Sequence, residues 1–273
     1  MTLRLSVFAL VFASACTSAQ PHRSLSDDEW CDETRRWNSN REQVCEVRET
    51  VVTTSRLDVD AGPNGGIKVM SWDRDDTLVR ARVVASARTE AAAERLLAET
   101  NVEVGSGRVR TSLPRTRNGS SVTVGFEVFV PRETDLALQT VNGGVTVDGV
   151  EGRIRAEAVN GGISLSGVAG EVRARTMNGG VSVALSGDAW DGRGLDAQTT
   201  NGGISILVPD GYSAELDART QVGRISTSGF DLPRSRERLG FRVGDRIETT
   251  LGRGGAPLRL VTTNGGVSIQ QGR

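Results

Sequence analysis

The sequence predicts an all-β protein, a single-stranded β-solenoid whose stacked coils hold about 18–23 residues each, with one short helical excursion. Three observations lead to this prediction. The triplet Asn-Gly-Gly occurs six times, alternating segments follow it, and glycine reaches 33 of 273 residues, about 12% against a usual ~7%. Aromatic residues make up only 4% of the chain, which suits a narrow aliphatic interior. The triplets begin at Asn64, Asn142, Asn160, Asn178, Asn201 and Asn264.

Each unit around a triplet is predicted to contain two strands and two turns. Asn-Gly is the preferred pair in a tight turn whose backbone needs positive φ, so we expect a turn at every triplet. The residues that follow alternate between apolar and hydroxyl side chains, which is typical of a half-buried strand. A second glycine turn comes next, for example at residues 148–152. From Asn142 the triplets are 18, 18 and 23 residues apart, and a worn copy lies at 222–226.

Two architectures fit this unit, an antiparallel meander of hairpins and a solenoid of stacked coils. The solenoid is favoured because residues of equal phase are alike, and a stack places them directly above one another. Three rows would result. The turn row would hold the six Asn residues, with the amides of Asn142, Asn160, Asn178 and Asn201 bonded from coil to coil. The inward aliphatic row would hold Val145, Ile163, Val181, Ile204, Ile225 and Val267. The outward hydroxyl row would hold Thr146, Ser164, Ser182, Ser205, Ser226 and Ser268.

Charge is balanced along the chain. The net charge is −1, so no global field attracts the protein to nucleic acid or to an anionic membrane, and we expect no nucleic-acid partner. Every cation except Lys68 is an arginine. The 18-residue step places outward charges opposite one another: Arg153 with Glu171, Glu157 with Arg175 and, as a like-charge pair, Arg155 with Arg173.

The first half of the chain is less regular. Residues 78–87 and 121–130 read as longer strands. Between them, residues 89–99 are rich in Ala, Leu and Glu and predict a helix that Thr89 caps. We expect this half to form wide coils that cover one end of the stack.

The N-terminus predicts an extracytoplasmic address. Residues 1–15 contain Arg4, an uncharged apolar run and small residues at the end, as in a secretory signal peptide. Cys16 follows immediately and is a candidate for lipid modification in a bacterial lipoprotein. The alternative is ordinary cleavage after Ala15 or Ala19, which gives a free periplasmic or secreted protein. A lipid anchor on Cys16 is then the one membrane contact that we expect.

Residues 16–50 are predicted to be a polar tether, and residues 51–273 the β domain. Cys31 and Cys45 remain as a pair within the tether. In an oxidising compartment they are most simply a disulfide, the alternative being two free buried thiols. The lone histidine, His22, also lies in the tether, where a solvated side chain is expected.

The chain resembles the bacterial putative-adhesin domain family, a group otherwise described as domains of unknown function. The resemblance is carried by Cys31 and Cys45, by the Asn64 triplet with Trp72 after it, by Val130-Pro131, and by the serial triplets. It runs from about Cys31 onwards, and it implies an envelope-exposed β-solenoid with an adhesin-like role. Two departures are the 23-residue step after Asn178 and the loss of the triplet at 222–224.

The residues that catalysis needs are scarce. The one histidine, His22, lies in the predicted tether and not in the β domain, which disfavours Ser-His-Asp and Cys-His sets, and a single histidine excludes multi-histidine metal sites. We therefore expect no catalytic residues, no metal and no cofactor. Trp190 between Asp188 and Asp191 is the best candidate glycan contact, because an exposed Trp stacks on sugar rings. The better-supported alternative is an insertion loop anchored by one apolar side chain. The other acidic candidates are Asp73, Asp75 and Asp76 around Arg74 in a solvated turn, and Asp148, which faces Ser166.

Two functions remain. The first is a non-catalytic, adhesin-like protein of the cell envelope that binds a surface partner, either an envelope protein or a glycan. The second is a carbohydrate-active solenoid enzyme, a polysaccharide lyase or hydrolase, which requires carboxylates at equal phase on neighbouring coils. The sequence favours the first function because no such pair of carboxylates is found.

Overall fold

The computed structural model describes residues 26–35, 41–116, 119–230, 232, 235–239 and 242–272, and within them the chain forms two helices and two large sheets. The helices are α1 (Asp27–Arg35) and α2 (Glu90–Glu99), and strands are numbered along the chain. In spatial order, one sheet holds the ten strands β1 (Glu42–Val52), β4 (Thr77–Ala87), β7 (Ser121–Pro131), β3 (Ile67–Trp72), β9 (Val145–Asp148), β11 (Ile163–Ser166), β13 (Val181–Ala184), β15 (Ile204–Val208), β21 (Val267–Gln271) and β17 (Ile225–Ser228). The other holds the eleven strands β18 (Ser235–Leu239), β19 (Arg242–Leu251), β16 (Ala214–Val222), β20 (Pro257–Asn264), β14 (Gly194–Asn201), β12 (Ala169–Asn178), β10 (Glu151–Asn160), β8 (Asp135–Asn142), β2 (Arg56–Asp60), β6 (Arg108–Ser112) and β5 (Asn101–Gly105).

Strands β8 to β15 alternate between the two sheets, so each Asn-Gly-Gly triplet connects a strand of one sheet to a strand of the other. Strands of equal phase pair in parallel: Ile163 lies opposite Val145 and Val181, and Asn160 lies opposite Asn142 and Asn178. The burial pattern alternates along each strand, and the inward residues are almost entirely aliphatic. The core therefore lies between the two sheets and is built mainly from Val, Ile, Leu and Ala.

The spatial order of the last units differs from their order in the sequence. Strands β20 and β21 lie between β14/β15 and β16/β17, so Val267 pairs with both Ile204 and Ile225. The aliphatic row predicted in sequence order is thus wrong at its end. The unit with an intact triplet at Asn264 continues from Asn201, and the worn unit, which has Val222 at the Asn position, lies beyond it.

The chain is all-β, as predicted, but both ends depart from a uniform stack of coils. At one end β1, β4 and β7 are 11 residues long each and pair antiparallel, unlike the parallel strands of the 18-residue units. At the other end β19 pairs antiparallel with β16 and with β18. Neither sheet closes on itself: the ten-stranded sheet ends at β1 and β17, and the eleven-stranded sheet ends at β18 and β5.

Helix α2 agrees with the predicted helical segment. The Thr89 hydroxyl accepts a hydrogen bond from the Ala92 amide at 3.3 Å and so caps the helix, and Ala93 is buried against the core. Helix α1 was not predicted and lies within the proposed tether. Strand β1 crosses residue 51, the position proposed for the start of the domain.

A disulfide and a charged cluster connect α1 to the ten-stranded sheet. Cys31 of α1 and Cys45 of β1 are bonded, with their Cα atoms 5.8 Å apart. Arg80 of β4 is almost fully buried and donates to Glu49, Glu127 and Asp27 of α1 at 2.6–2.7 Å. A cross-link and a shared guanidinium thus attach α1 to β1 and β4.

The glycines of the two turns serve different purposes. In the second turn Gly149 and Gly167 have φ of 71° and 57°, a conformation that favours glycine. The first glycine of the triplet does not need positive φ at Gly143 or Gly161, contrary to the prediction. A Cβ on Gly161 would instead overlap the carbonyl group of Gly143 on the neighbouring strand pair, so glycine is required there by close backbone stacking.

Candidate functional site

The triplets form a corner between the two sheets, which we call the Asn corner. At this corner each Asn amide donates to the side-chain oxygen of the Asn before it in space. Each inner amide therefore donates one hydrogen bond and accepts another across the strand pairs. The Nδ2 to Oδ1 distances are 3.1 Å for Asn142 to Asn64, 2.9 Å for Asn160 to Asn142, 2.8 Å for Asn178 to Asn160, 2.9 Å for Asn201 to Asn178 and 2.9 Å for Asn264 to Asn201.

A second row at the Asn corner was not identified from the sequence. Buried threonines lie two residues before the Asn position, and each donates its hydroxyl to the carbonyl of a triplet's first glycine. Ala158 occupies this position in β10, so the row is interrupted there. The recurrence of Thr at this phase was the signal that could have revealed the row. The bonds are Thr140 to Gly65 at 2.6 Å, Thr176 to Gly161 and Thr199 to Gly179 at 2.7 Å, and Thr262 to Gly202 and Thr220 to Gly265 at 2.8 Å.

The outer side of the ten-stranded sheet carries a shallow groove of ≈ 810 Å³, which we call the hydroxyl groove. It crosses six neighbouring strands, which are spaced ~4.8 Å apart as in any sheet. Second glycines of the triplets and one hydroxyl per strand line it, and Arg224 is the one charged residue in the described lining. In spatial order the hydroxyl residues are Thr146, Ser164, Ser182, Ser205, Ser268 and Ser226.

The outer side of the eleven-stranded sheet is charged. Two hollows of ≈ 180 and ≈ 440 Å³ lie there and share Glu171 and Arg173 in their linings. We call this surface the arginine face, because arginine is its commonest charged residue. Its charged lining comprises Arg56, Arg153, Arg155, Arg173, Arg193 and Arg259 with Asp135, Glu171 and Asp196.

The ion pairs on the arginine face differ in part from those expected. Arg153 lies in register with Glu171, but it donates two side-chain hydrogen bonds to Asp135 on the other side, at 2.7 and 3.0 Å. Burial by itself raises the pKa of Asp135, but hydrogen bonds from the Arg153 main chain and side chain outweigh it and lower the pKa below its ordinary value. Arg175, which faces Glu157 in register, lies 3.7 Å from Asp196.

Trp190 does not offer a surface for sugar stacking. Its side chain lies in the core with 7% of the residue exposed, and its ring N–H donates to the Gly170 carbonyl at 3.0 Å. Asp188 and Asp191 are exposed beside it. The insertion is thus a loop that one buried indole attaches to the stack, which was the alternative interpretation of these residues.

Two of the remaining acidic candidates, Asp76 and Asp148, have neighbours in the structure that fit the predicted ones. Asp148 lies opposite Ser166, and Arg74 pairs with Asp76 at 2.5 Å while its guanidinium lies 4.4 Å from the centre of the Trp72 ring. Among the described residues, no group of three or more His, Cys, Asp or Glu side chains could hold a metal ion. Within the same residues, no helix has the length and apolar character needed to cross a bilayer. The predicted signal peptide at 1–15, the predicted lipidation site Cys16 and His22 lie outside the residues that the structure describes.

Comparison with known proteins gives no sequence match, neither to a family model nor to a curated protein. Solved structures with a similar chain trace include a putative cell adhesion protein from Clostridium sporogenes, at 13% identity and a TM-score of 0.45, covering 84% of this chain and 100% of that one. A putative adhesin from Bacteroides fragilis has 12% identity and a TM-score of 0.37, covering 83% and 97%. A putative lipid binding protein from Parabacteroides distasonis has 11% identity and a TM-score of 0.29, covering 84% and 97%.

Proposed function

We propose that this protein is a non-catalytic, adhesin-like component of the bacterial cell envelope that binds a surface partner or glycan through the outer faces of its two sheets. The observation that carries the proposal is the arrangement of outward side chains. They stand in register across many strands on two open faces, one rich in hydroxyls and one rich in arginine. Such rows present one chemistry repeatedly over a rigid support, which is how extended repeat proteins bind.

The proposal includes the location and the form of the molecule. A disulfide between Cys31 and Cys45 is typical of an extracytoplasmic protein. We propose that residues 1–15 are removed as a signal peptide and that Cys16 carries a lipid. The alternation of β8 to β15 between the sheets supports a single-stranded solenoid in the middle of the chain.

A binding assay with the whole mature protein tests the proposal. The protein is immobilised, and saturable binding of envelope extract and of a panel of neutral and acidic glycans is measured. We expect saturable binding that is lost when Ser164→Glu and Ser182→Glu charge the hydroxyl groove, or when arginines of the arginine face are neutralised. Binding that neither set of changes affects would contradict the proposal.

The enzymatic alternative is tested in parallel. Each glycan is incubated with the protein, and its chain length is followed by size-exclusion chromatography. Depolymerisation that a single carboxylate-to-amide change abolishes would replace the proposal with the enzyme hypothesis. For the anchor, Cys16→Ser should abolish the incorporation of labelled palmitate, and undiminished labelling would exclude lipidation at this residue.

A further inference from the structure

The arginine face carries a local positive charge on a chain of net charge −1. Six arginines and three carboxylates line its two hollows, a net charge of +3. Glu157 and Arg175, which pair with residues of this lining, add one charge of each sign, whereas Asp58 and Asp60, on the same side of β2 as Arg56, reduce the net charge of the wider face to +1. The face extends over the six adjacent strands β2, β8, β10, β12, β14 and β20, a distance of ~24 Å at the usual strand spacing.

A like-charge pair lies at the centre of the arginine face. Arg155 and Arg173 are in register on the neighbouring parallel strands β10 and β12. Like charges directly opposite one another destabilise a sheet, so this pair has a cost for folding that a ligand anion would relieve. Arg155 pairs with Glu157 ahead of it, whereas Arg173 pairs with Glu171 behind it, each at 2.7 Å. Their guanidinium groups are therefore drawn in opposite directions along the sheet.

The arginine side chains of this face are more exposed to solvent than the carboxylates with which they pair. The side chains of Arg153 and Arg193 are 73% and 84% exposed, whereas those of their partners Asp135 and Glu171 are 28% and 23% exposed. Arg259 is exposed and makes no hydrogen bond or ion pair with the described residues. Each guanidinium has five N–H donors, and one carboxylate uses at most two of them, so donors remain for an external anion.

We infer that the arginine face binds a linear acidic polysaccharide, whose carboxylates the exposed guanidinium groups hold in bidentate pairs. This inference rests on the proposed function and specifies one face and one class of ligand. Three observations favour this class of ligand. The cations of the face are all arginine, whose planar guanidinium group matches a carboxylate with two parallel hydrogen bonds. The surface is open and crosses six strands, so guanidinium groups that recur across the strands can meet carboxylates that recur along a polysaccharide chain.

The test measures the affinity of the whole mature protein for polygalacturonate, with fully methyl-esterified polygalacturonate as a ligand of the same backbone without charge. We expect the acid form to bind, the ester form not to bind, and the affinity to fall as salt is raised. Arg155→Gln with Arg173→Gln should weaken binding about tenfold, since two exposed ion pairs are lost. Arg108→Gln with Arg253→Gln removes the same charge from exposed residues outside the hollows and should change affinity less than about twofold.

A second variant makes the test independent of folding losses. Glu157→Gln with Glu171→Gln releases the two central arginines from their partners and should strengthen binding of polygalacturonate. Equal losses of affinity in the Arg155→Gln/Arg173→Gln variant and in the Arg108→Gln/Arg253→Gln control would overturn the inference. Weaker binding by the Glu157→Gln/Glu171→Gln variant would also overturn it. So would tighter binding of a short DNA duplex or of anionic vesicles than of polygalacturonate. If polygalacturonate fails to bind while envelope extract still binds saturably, this inference falls and the proposed function stands.

Discussion

The Asn corner and the outer faces are built from the same strands but follow different rules. At the corner, Asn and the first glycine recur from one unit to the next, because amides bond to amides and a carbonyl occupies the space of a Cβ. On the arginine face, the register position of Arg155 holds Arg173 and then Asp196 on the next strands. The corner is thus fixed by side-chain and main-chain contacts with the neighbouring units, whereas the charged residues of the arginine face vary from strand to strand.

The largest effect that sharpens this comparison is expected from Gly161→Ala. Its Cβ would overlap the Gly143 carbonyl, which belongs to the backbone and cannot move alone, so the free energy of unfolding should fall by about 3 kcal/mol or more. Urea denaturation measures the loss. Gly162→Ala is the matched control, since its Cβ would lie 3.4 Å from the Gly180 carbonyl oxygen, and it should change stability by less than about 1 kcal/mol. Equal losses for both variants would show that stacking does not set the glycine requirement.

The burial of Tyr212 should make its ionisation detectable only at strongly alkaline pH. Tyr212 is buried, and burial together with the charge of Asp188 raises its pKa from 10.0 to about 12. Because the folded state holds the proton more tightly, this stability is present below pH 10 and is lost as the pH rises towards 12. Tyr212 is the single tyrosine, so tyrosinate absorbance reports on it alone. An absorbance midpoint near pH 10 in the native protein would contradict this prediction, and Tyr212→Phe should remove the signal.

Restoring the interrupted threonine row at Ala158 should raise the free energy of unfolding. Ala158→Thr places a hydroxyl where Thr140 and Thr176 have theirs on the adjacent strands, and it should donate to the Gly143 carbonyl. One such bond should raise the free energy of unfolding by about 1 kcal/mol. Ala158→Val has the same shape without the hydroxyl and serves as the control. An equal rise in the free energy of unfolding for Ala158→Val would show that packing, and not the hydroxyl, causes the effect.

The smallest effect should come from an outer face. Ser164 is exposed in the hydroxyl groove, so Ser164→Ala should change the free energy of unfolding by less than about 0.5 kcal/mol. Thermal denaturation measures it against the wild type. A loss above 1 kcal/mol would mean that the outer face is part of the stabilising structure, and the distinction between corner and face would fail.

The sequence predicts those parts of the fold that depend on local patterns. Alternation and turn residues indicate an all-β chain, Thr89 marks the start of α2, and two remaining cysteines in an oxidising compartment indicate the Cys31–Cys45 bond. These features can be predicted from residues that are close in the sequence or, for the disulfide, from the number of cysteines.

Features that depend on distant partners could not be predicted. The place of β20 is set by pairing between Asn201 and Asn264, which no local pattern reveals. The Asn-Gly pair indicates a φ requirement at Gly161, whereas the close approach of the Gly143 carbonyl becomes visible only once the neighbouring strands are placed. For Trp190 the sequence favours an apolar anchor of its loop, but it does not reveal that the acceptor of the ring N–H is the Gly170 carbonyl, 20 residues away.

The position of β20 and β21 has a consequence for synthesis. The chain emerges N-terminus first during synthesis and during the proposed export, so β14 to β19 are available before residues 257–271 appear. Until then β14 and β16 face each other across a missing strand, with matching Thr residues and aliphatic rows on both edges. Premature pairing of these two edges would be a kinetic trap that must reopen to admit β20. The high sequence separation of the native contacts makes slow, late closure of this end of the molecule the expected rate-limiting step.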